Sequence, residues 1–290
     1  MIIENYTLIK ILKKTKNSSI WLSEHKKNQK QYAIKIVQIE SANAYKMFKN
    51  EQNLLLRCNH PNIIRIHESG ELSLPKKVNY CKWIPQKIGY LVLDLLPYSL
   101  IEYANIKGIL SELETMYFAR DISEAVKYLH DNSITHRDLS YHNIMINNHN
   151  AILIDLGISI DEHNHKCDKC SNTISGTVRF ISPEQMNGAY GNIQQNDIYS
   201  IGCLIHFMLT GKFTHKQQIN IIDFIKDKKH NIPYIVYENK KNISQDIFNL
   251  IRDMLLPSKY RINIDYVIQR INTIIVNLQY DKCLIDNFVR

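Results

Sequence analysis

The stretch His136-Arg137-Asp138-Leu139-Ser140-Tyr141-His142-Asn143 constrains this chain more than any other, because it sets a potential base and a potential metal ligand five residues apart in what reads as a loop. Two short apolar runs follow, Ile144 to Ile146 and Ala151 to Ile154, separated by Asn147-Asn148-His149-Asn150. Apolar runs split by turn-forming residues predict a β-hairpin. That hairpin returns a second acid, Asp155 of Asp155-Leu156-Gly157, beside the loop. Taken singly, each Asp or Asn could equally cap a turn.

Further segments appear in a fixed order along the chain. Tyr32-Ala33-Ile34-Lys35 alternates as a β-strand does and carries Lys35 inward. Glu51 lies in Phe48 to Leu56, which has a helical pattern, and His60-Pro61-Asn62 ends it, since proline cannot continue a helix. Tyr90-Leu91-Val92-Leu93-Asp94 is an apolar strand leading to Leu95-Leu96-Pro97. Ser111 and Glu114 stand at capping-box spacing, and Leu113, Met116, Ala119, Ile122, Val126 and Leu129 then recur every three or four residues, which predicts a core helix ending at Asp131-Asn132-Ser133. Ser175-Gly176-Thr177-Val178-Arg179-Phe180-Ile181-Ser182-Pro183-Glu184, then Asp197 and Arg261, complete the series.

Together these segments resemble the eukaryotic-type protein kinase superfamily, and its serine/threonine branch in particular. The patterns matched are H-R-D-L-x-x-x-N, D-F-G, V-A-I-K and A-P-E, and the likeness runs from about Tyr6 to about Leu278. It implies an α+β, bilobal fold with a small, mainly β N-lobe, a larger, mainly α C-lobe, and ATP in the cleft between them. A single kinase domain would fill residues 1–290, with 6–97 as N-lobe and hinge, 98–280 as C-lobe and 281–290 as a tail.

The implied chemistry is magnesium-dependent transfer of the ATP γ-phosphoryl group to serine or threonine hydroxyls of proteins. Such transfer rests on alignment and on neutralising phosphate charge. Asp138 would orient the hydroxyl or accept its proton, Asn143 and Asp155 would hold magnesium, and Lys35, paired with Glu51, would contact the α- and β-phosphates. Leu12, Ile20, Ala33, Leu93, Asp94, Leu96 and Met145 would surround the adenine, with Leu93 as gatekeeper. Asp197 would secure the catalytic-loop backbone, and Arg261 would pair with Glu184. Thr177 is typical of serine/threonine kinases at its position.

Two departures stand against the pattern. Lys13, Thr15 and Ser18 occupy the glycine positions of the phosphate-covering loop, where glycine lets backbone amides approach phosphate closely. Lys13, Lys14 and Lys16 could compensate in part by charge, or be a solvated basic turn. Ser140 replaces a lysine that would contact the transferred group, and losing that cation weakens electrostatic stabilisation. Leu156 in place of phenylalanine is milder, its implied role being packing against Leu55 and His136. A weak or inactive pseudokinase, binding nucleotide or serving as a scaffold, is therefore the alternative. Retention of Lys35, Glu51, Asp138, Asn143 and Asp155 favours the enzyme. A kinase acting on a small molecule is disfavoured because Ser175 to Glu184 resembles a peptide-substrate loop.

Arg137 implies control by phosphorylation, with Thr173 as the aligned site and Ser171 and Ser175 as neighbours. The same segment holds His163, His165, Cys167 and Cys170, whose spacing could supply four zinc ligands or be an incidental, redox-sensitive loop.

Composition sets the outer limits. A chain of 290 residues with 44% hydrophobic residues can bury a substantial two-part core. It has no 18-residue apolar run and no basic-then-apolar start, so the expectation is an intracellular protein off the membrane. Six cysteines in this length lack the density of a disulfide scaffold. The net charge of +8 comes without an arginine-rich or aromatic nucleic-acid motif, so no nucleic acid is expected; protein substrates are what the kinase resemblance implies, and the oligomeric state is open. Glu71 to Lys87 reads as a long loop between strands.

Overall fold

The computed structural model describes residues 2–79, 82–162, 176–186, 192–214 and 243–288. It divides into two compact units, Met1–Pro97 with Asp155–Gly157, and Tyr98–Ile154 with Ile158–Arg290.

The first unit is built on an antiparallel sheet. Its strands are β1 (Ile2–Ile3), β2 (Tyr6–Lys14), β3 (Ser18–His25), β4 (Gln31–Gln38), β5 (Ile66–Asn79) and β6 (Lys82–Asp94), ordered β1-β2-β3-β4-β6-β5. Side chains alternate between faces along a strand. Tyr32, Ile34 and Ile36 of β4 accordingly join Ile88, Tyr90 and Val92 of β6 and Ile3, Tyr6 and Leu8 in one buried cluster. Ala33 and Lys35 must face the other way. In register, Lys35 is opposite Ile20 and Leu91, and Ala33 is opposite Leu93, so these residues share that second face.

Helix α1 (Ala42–Arg57) packs in this unit. Ser41 caps it by accepting the Ala44 amide, and Phe48, Glu51, Leu54 and Leu55 are its buried side. Gly89 of β6 permits the approach: a Cβ there would stand 2.5 Å from the Phe48 ring.

Within Glu71 to Lys87, the described residues 71–79 and 82–87 are paired strands and not the loop expected from sequence. β5 and β6 pair through Leu72–Ile88, Ser73–Lys87 and Pro75–Pro85. Prolines argue against a central strand. Here β4 pairs with β6 only as far as Ile88, and β5 is an edge strand, so neither proline removes an amide needed by a second neighbour.

The second unit is mainly helical. It contains β7 (Tyr98–Ser99), α2 (Leu100–Lys107), α3 (Glu112–Asp131), β8 (Ile134–Thr135), β9 (Ile144–Asn147), β10 (Asn150–Leu153), β11 (Ile160–Asp161), α4 (Pro183–Met186), α5 (Gln194–Thr210), α6 (Gln245–Met254) and α7 (Ile264–Phe288). Helix α3 begins where its capping serine predicts, with the Glu114 amide donating to Ser111 Oγ at 3.2 Å. Met116, Ala119, Ile122, Val126 and Leu129 are buried, and α3 packs on α5, α7 and β10. Asp121, buried on α3, accepts the Ala151 amide at 3.0 Å and ties the helix to β10. The hairpin β9–β10 turns at Asn148 and His149, both with positive φ, as a tight two-residue turn demands. Helix α7 runs on to Phe288, through most of the segment taken from sequence as a tail. No glycine or proline stops it there.

Helix α5 is buried along nearly its whole length and carries His206, whose Nδ1 lies 3.2 Å from the Lys212 carbonyl. Burial pushes this imidazole from 6.5 down to about 4. A folded-state value below the unfolded one means stability is complete above about pH 6.5 and is lost as pH falls toward about 4. Between about pH 7 and about pH 5, His206 should remove about 1–2 kcal/mol of unfolding free energy. Urea denaturation at both pH values checks this, and His206→Gln should shrink the drop by that amount.

Candidate active site

Lys35 is the ammonium of the first unit. Its Nζ lies 2.6 and 2.8 Å from Glu51 Oε1 and Oε2, and 3.0 Å from Asp155 Oδ2. Strand alternation sends Lys35 to this face, and a step of three from Phe48 puts Glu51 on the buried side of α1. Burial alone would lower the Lys35 ammonium, but the Asp155 and Glu51 carboxylates outweigh it and hold it above its usual range. Burial pushes the Glu51 carboxyl up to about 7 against the pull of Lys35.

Asp155 has φ 66°, in the left-handed region, and its Oδ1 accepts the Gly157 amide at 3.1 Å. Asn50, one residue before Glu51, donates from Nδ2 to the Leu156 carbonyl at 3.2 Å, and Leu156 is buried. Sequence reasoning passed over Asn50, because an exposed helix asparagine and one that holds a loop look alike in a linear pattern.

The residues expected around adenine divide between the units. Ile20, Ala33 and Leu93 share the Lys35 face. Leu12 is exposed and sits at a register shift between Ile11 and Lys13. Asp94 ends β6, its Oδ1 2.7 Å from His67 Nε2, and Leu96 follows it half-buried. Met145 belongs to the second unit, on β9 between Ser99 and Ile152.

The turn from β2 to β3, where glycines would be expected, is closed by hydroxyls. Thr15 N–H donates to the Ser18 carbonyl at 2.8 Å, Ser18 N–H donates to Thr15 Oγ1 at 3.1 Å, and the two hydroxyl oxygens lie 2.9 Å apart. None of residues 13–18 has a positive φ. Here two side chains supply the turn geometry that glycine would otherwise supply by its backbone freedom.

In the second unit, every oxygen of the Asp138 carboxylate has a donor. Asn143 Nδ2 donates to Oδ2 at 2.8 Å and to the Asp138 carbonyl at 2.9 Å. Thr177 donates from its amide and from Oγ1 to Oδ1, at 2.7 and 2.8 Å. The His136 ring accepts the Asp138 amide on Nδ1 at 3.2 Å and reaches the Ile154 carbonyl from Nε2 at 3.3 Å. The loop backbone hangs on Asp197: Oδ2 accepts the His136 amide at 2.9 Å, Oδ1 accepts the Arg137 amide at 2.8 Å, and His130 Nε2 lies 2.9 Å from Oδ2. Burial would raise the Asp197 carboxyl, but His130 and the backbone donors hold it below its usual value.

Ser140 is fully buried, and its Oγ has no hydrogen-bond partner among the described residues. The Arg137 side chain makes no ion pair among the described residues. Thr173, His163, His165, Cys167 and Cys170 lie outside the described residues. The expected site residues thus form two groups, Lys35 with Glu51 and Asp155 in one unit, Asp138 with Asn143 and Thr177 in the other.

Comparison with known proteins gives the family. The family described as "Protein kinase domain" matches residues 6–270. The chain belongs to the protein kinase domain family. Its α+β organisation, a sheet-built N-terminal part followed by a mainly helical C-terminal part, is the bilobal kinase fold. The kinase domain is 28% identical over 267 residues to serine/threonine-protein kinase 33 of Mus musculus, covering 87% of this chain and 51% of that protein. It is 30% identical over 294 residues to a probable serine/threonine-protein kinase KIN1 homolog of Enterocytozoon bieneusi, covering 99% of this chain and 44% of that protein. It is 27% identical over 212 residues to serine/threonine-protein kinase PrkC of Bacillus subtilis, covering 71% and 30%. The chain spans about half or less of the length of these relatives. Among the described residues, no helix is long and apolar enough to cross a membrane.

A buried ion pair anchors the segment after Thr177. Arg261 donates from one nitrogen to Glu184 Oε1 and Oε2 at 3.1 and 3.2 Å, from another to the Gln195 carbonyl at 2.6 Å, and from Nε to the Leu256 carbonyl at 2.9 Å. The Arg261 side chain is wholly buried. Arg261→Met keeps much of the volume but leaves the Glu184 carboxylate with the Ser258 amide and no cation, and takes the donor from the Gln195 and Leu256 carbonyls, so it should cost about 3–5 kcal/mol, read as a lower urea midpoint. A variant as stable as the parent would refute this reading of the pair.

Proposed function

We propose that this kinase domain transfers the γ-phosphoryl group of ATP to serine or threonine hydroxyls of proteins in a magnesium-dependent reaction. The observation that carries the reading is the arrest of Asp138 from both sides by Asn143 and Thr177, which leaves a carboxylate in fixed orientation next to a carboxamide. Preorganisation of this kind is what an in-line transfer needs, since alignment and electrostatics supply most of its catalysis. In the step proposed, the substrate hydroxyl oxygen bonds to the γ-phosphorus, the bond to the β–γ bridging oxygen breaks, ADP leaves, and Asp138 accepts the proton.

Asn143 and Asp155 would hold magnesium. The donor set fits: Asn143 uses Nδ2 toward Asp138, leaving its amide oxygen as the acceptor atom of that side chain, and Asp155 offers a carboxylate. Bound there, the ion supplies neutralisation of charge on the phosphate oxygens. Lys35, held by Glu51, would bind the α- and β-phosphates, and Leu12, Ile20, Ala33, Leu93, Asp94, Leu96 and Met145 would enclose the adenine. We assign residues 1–290 to one domain, with lobes at 6–97 and 98–280, acting on intracellular proteins. Arg137 would collect a phosphate on Thr173, with Thr177 steadying Asp138. A zinc role for His163, His165, Cys167 and Cys170 rests on their spacing alone.

One observation favours a second reading, a weak or inactive kinase used for binding. The Ser18 amide, in the turn that would cover the phosphates, is already satisfied by Thr15 Oγ1, and Ser140 brings no cation.

Radiolabelled ATP with a generic basic protein separates the two. The wild-type chain should transfer label only with magnesium, and Asp138→Asn should lose about 10²–10⁴-fold in rate. Lys35→Met should fall by a similar factor. No transfer by the wild type, or equal transfer by Asp138→Asn, sinks the enzyme reading.

A further inference from the structure

We infer that Gln185 is a positioning residue for Asp138: its side-chain amide holds the Arg137 carbonyl and so fixes the peptide that carries the proposed base. The inference rests on the kinase reading above and adds a residue that no motif used here assigns.

Arg137 has φ 71°, a conformation that side-chain-bearing residues adopt rarely and keep only when their surroundings over-determine it. Two bonds do so here. The Arg137 amide donates to Asp197 Oδ1 at 2.8 Å, and its carbonyl accepts Gln185 Nε2 at 2.9 Å. That carbonyl belongs to the peptide joining Arg137 to Asp138. A rotation of this peptide would carry the Asp138 amide away from His136 Nδ1 and its carboxylate away from Thr177.

The neighbours of Gln185 are arranged around the same bond. Gly176 has φ 116°, and a Cβ there would stand 2.9 Å from the Arg137 carbonyl oxygen and 3.3 Å from Gln185 Nε2. Glycine therefore leaves the bond intact, while the next residue, Thr177, grips Asp138. Gln185 itself is buried, and its amide N–H donates to Ser182 Oγ at 3.1 Å. Ser182 in turn donates to Asn196 Oδ1 at 2.6 Å, and Asn196 precedes Asp197 on α5. The two supports of the Arg137–Asp138 peptide are thus joined through Ser182 and Asn196.

The chemistry demands a donor at position 185. A carbonyl only accepts, so an amide fits and an ionised carboxylate of the same shape does not. This gives a test inside one folded protein. In Gln185→Glu the introduced carboxyl has no donor when ionised and one when protonated, whereas Gln185→Leu never has one.

The full chain and both variants are assayed for kcat, KM for ATP and thermal midpoint from about pH 8.5 down to about pH 5, each normalised to wild type at that pH. The rate constant kcat should fall about 10- to 100-fold in Gln185→Leu, and in Gln185→Glu at the alkaline end, with KM for ATP within about twofold. Toward the acid end Gln185→Glu should regain kcat while Gln185→Leu does not. Hydrogen exchange of residues 136–143 should be faster in Gln185→Leu, with α3 still protected. Folded variants with wild-type kcat and unchanged exchange overturn the inference, as does a Gln185→Glu deficit that is independent of pH. If wild type transfers no phosphate, the kinase reading fails, and the exchange measurement alone still decides whether Gln185 holds the loop.

Discussion

The carboxylate of Asp197 is the constraint on which the second unit depends. It lies at the start of a helix buried on almost every side, where an unpaired charge would be strongly destabilising. It is tolerated because its two oxygens receive the His136 and Arg137 amides and the His130 ring. Those same bonds order the loop backbone, so the burial that makes Asp197 costly also makes the loop rigid. Removing Asp197 would leave buried donors without an acceptor, and removing His130 would leave a buried carboxylate short of a donor. Around it, the Glu184–Arg261 pair and the Ser182–Asn196 bond tie the following segment to the same helix.

The first unit solves a related problem with one ammonium and two carboxylates. Lys35 is flanked by Glu51 and Asp155, and the cluster is carried by a strand, a helix and a turn. Low dielectric makes each attraction strong and each unpaired member costly, which keeps the Lys35 ammonium protonated. The turn of Thr15 to Ser18 has a different character. It is exposed and closed by its own hydroxyls, so its geometry comes from local side chains instead of from glycine. The chain therefore combines a strongly bonded set of charged groups with a phosphate-covering turn of unusual chemistry.

Where periodicity is clean, the sequence read correctly. The β9–β10 hairpin and the α3 face beginning at Ser111 follow from spacing and capping, and the Lys35–Glu51 pair is the one that the kinase resemblance implies. Reading failed where a local signal was overruled by neighbours. Glu71 to Lys87 reads as a loop, yet its described residues pair as strands, with Pro75 and Pro85 where no second neighbour needs their amides. Helix α7 is a different case: residues 281–288 hold no glycine or proline, so its continuation past the expected end was legible in the local sequence. Asn50 and Gln185 went unassigned because each acts on a backbone carbonyl far away in sequence, and a carbonyl leaves no mark in the residue code.

By itself the sequence determined which chemical groups are present and on which local elements they ride: the acid and amide of the loop, the lysine on its strand, the glutamate on its helix. Side-chain period and turn chemistry are short-range properties, so a linear text can carry them. The kinase resemblance already implied that Asp197 secures the loop; only the tertiary structure decided that it does so through the His136 and Arg137 amides, that Thr177 grips Asp138, and that Gln185 reaches the Arg137 carbonyl. Such bonds depend on which buried donor finds which buried acceptor once the helices have packed, and packing is a property of the whole chain.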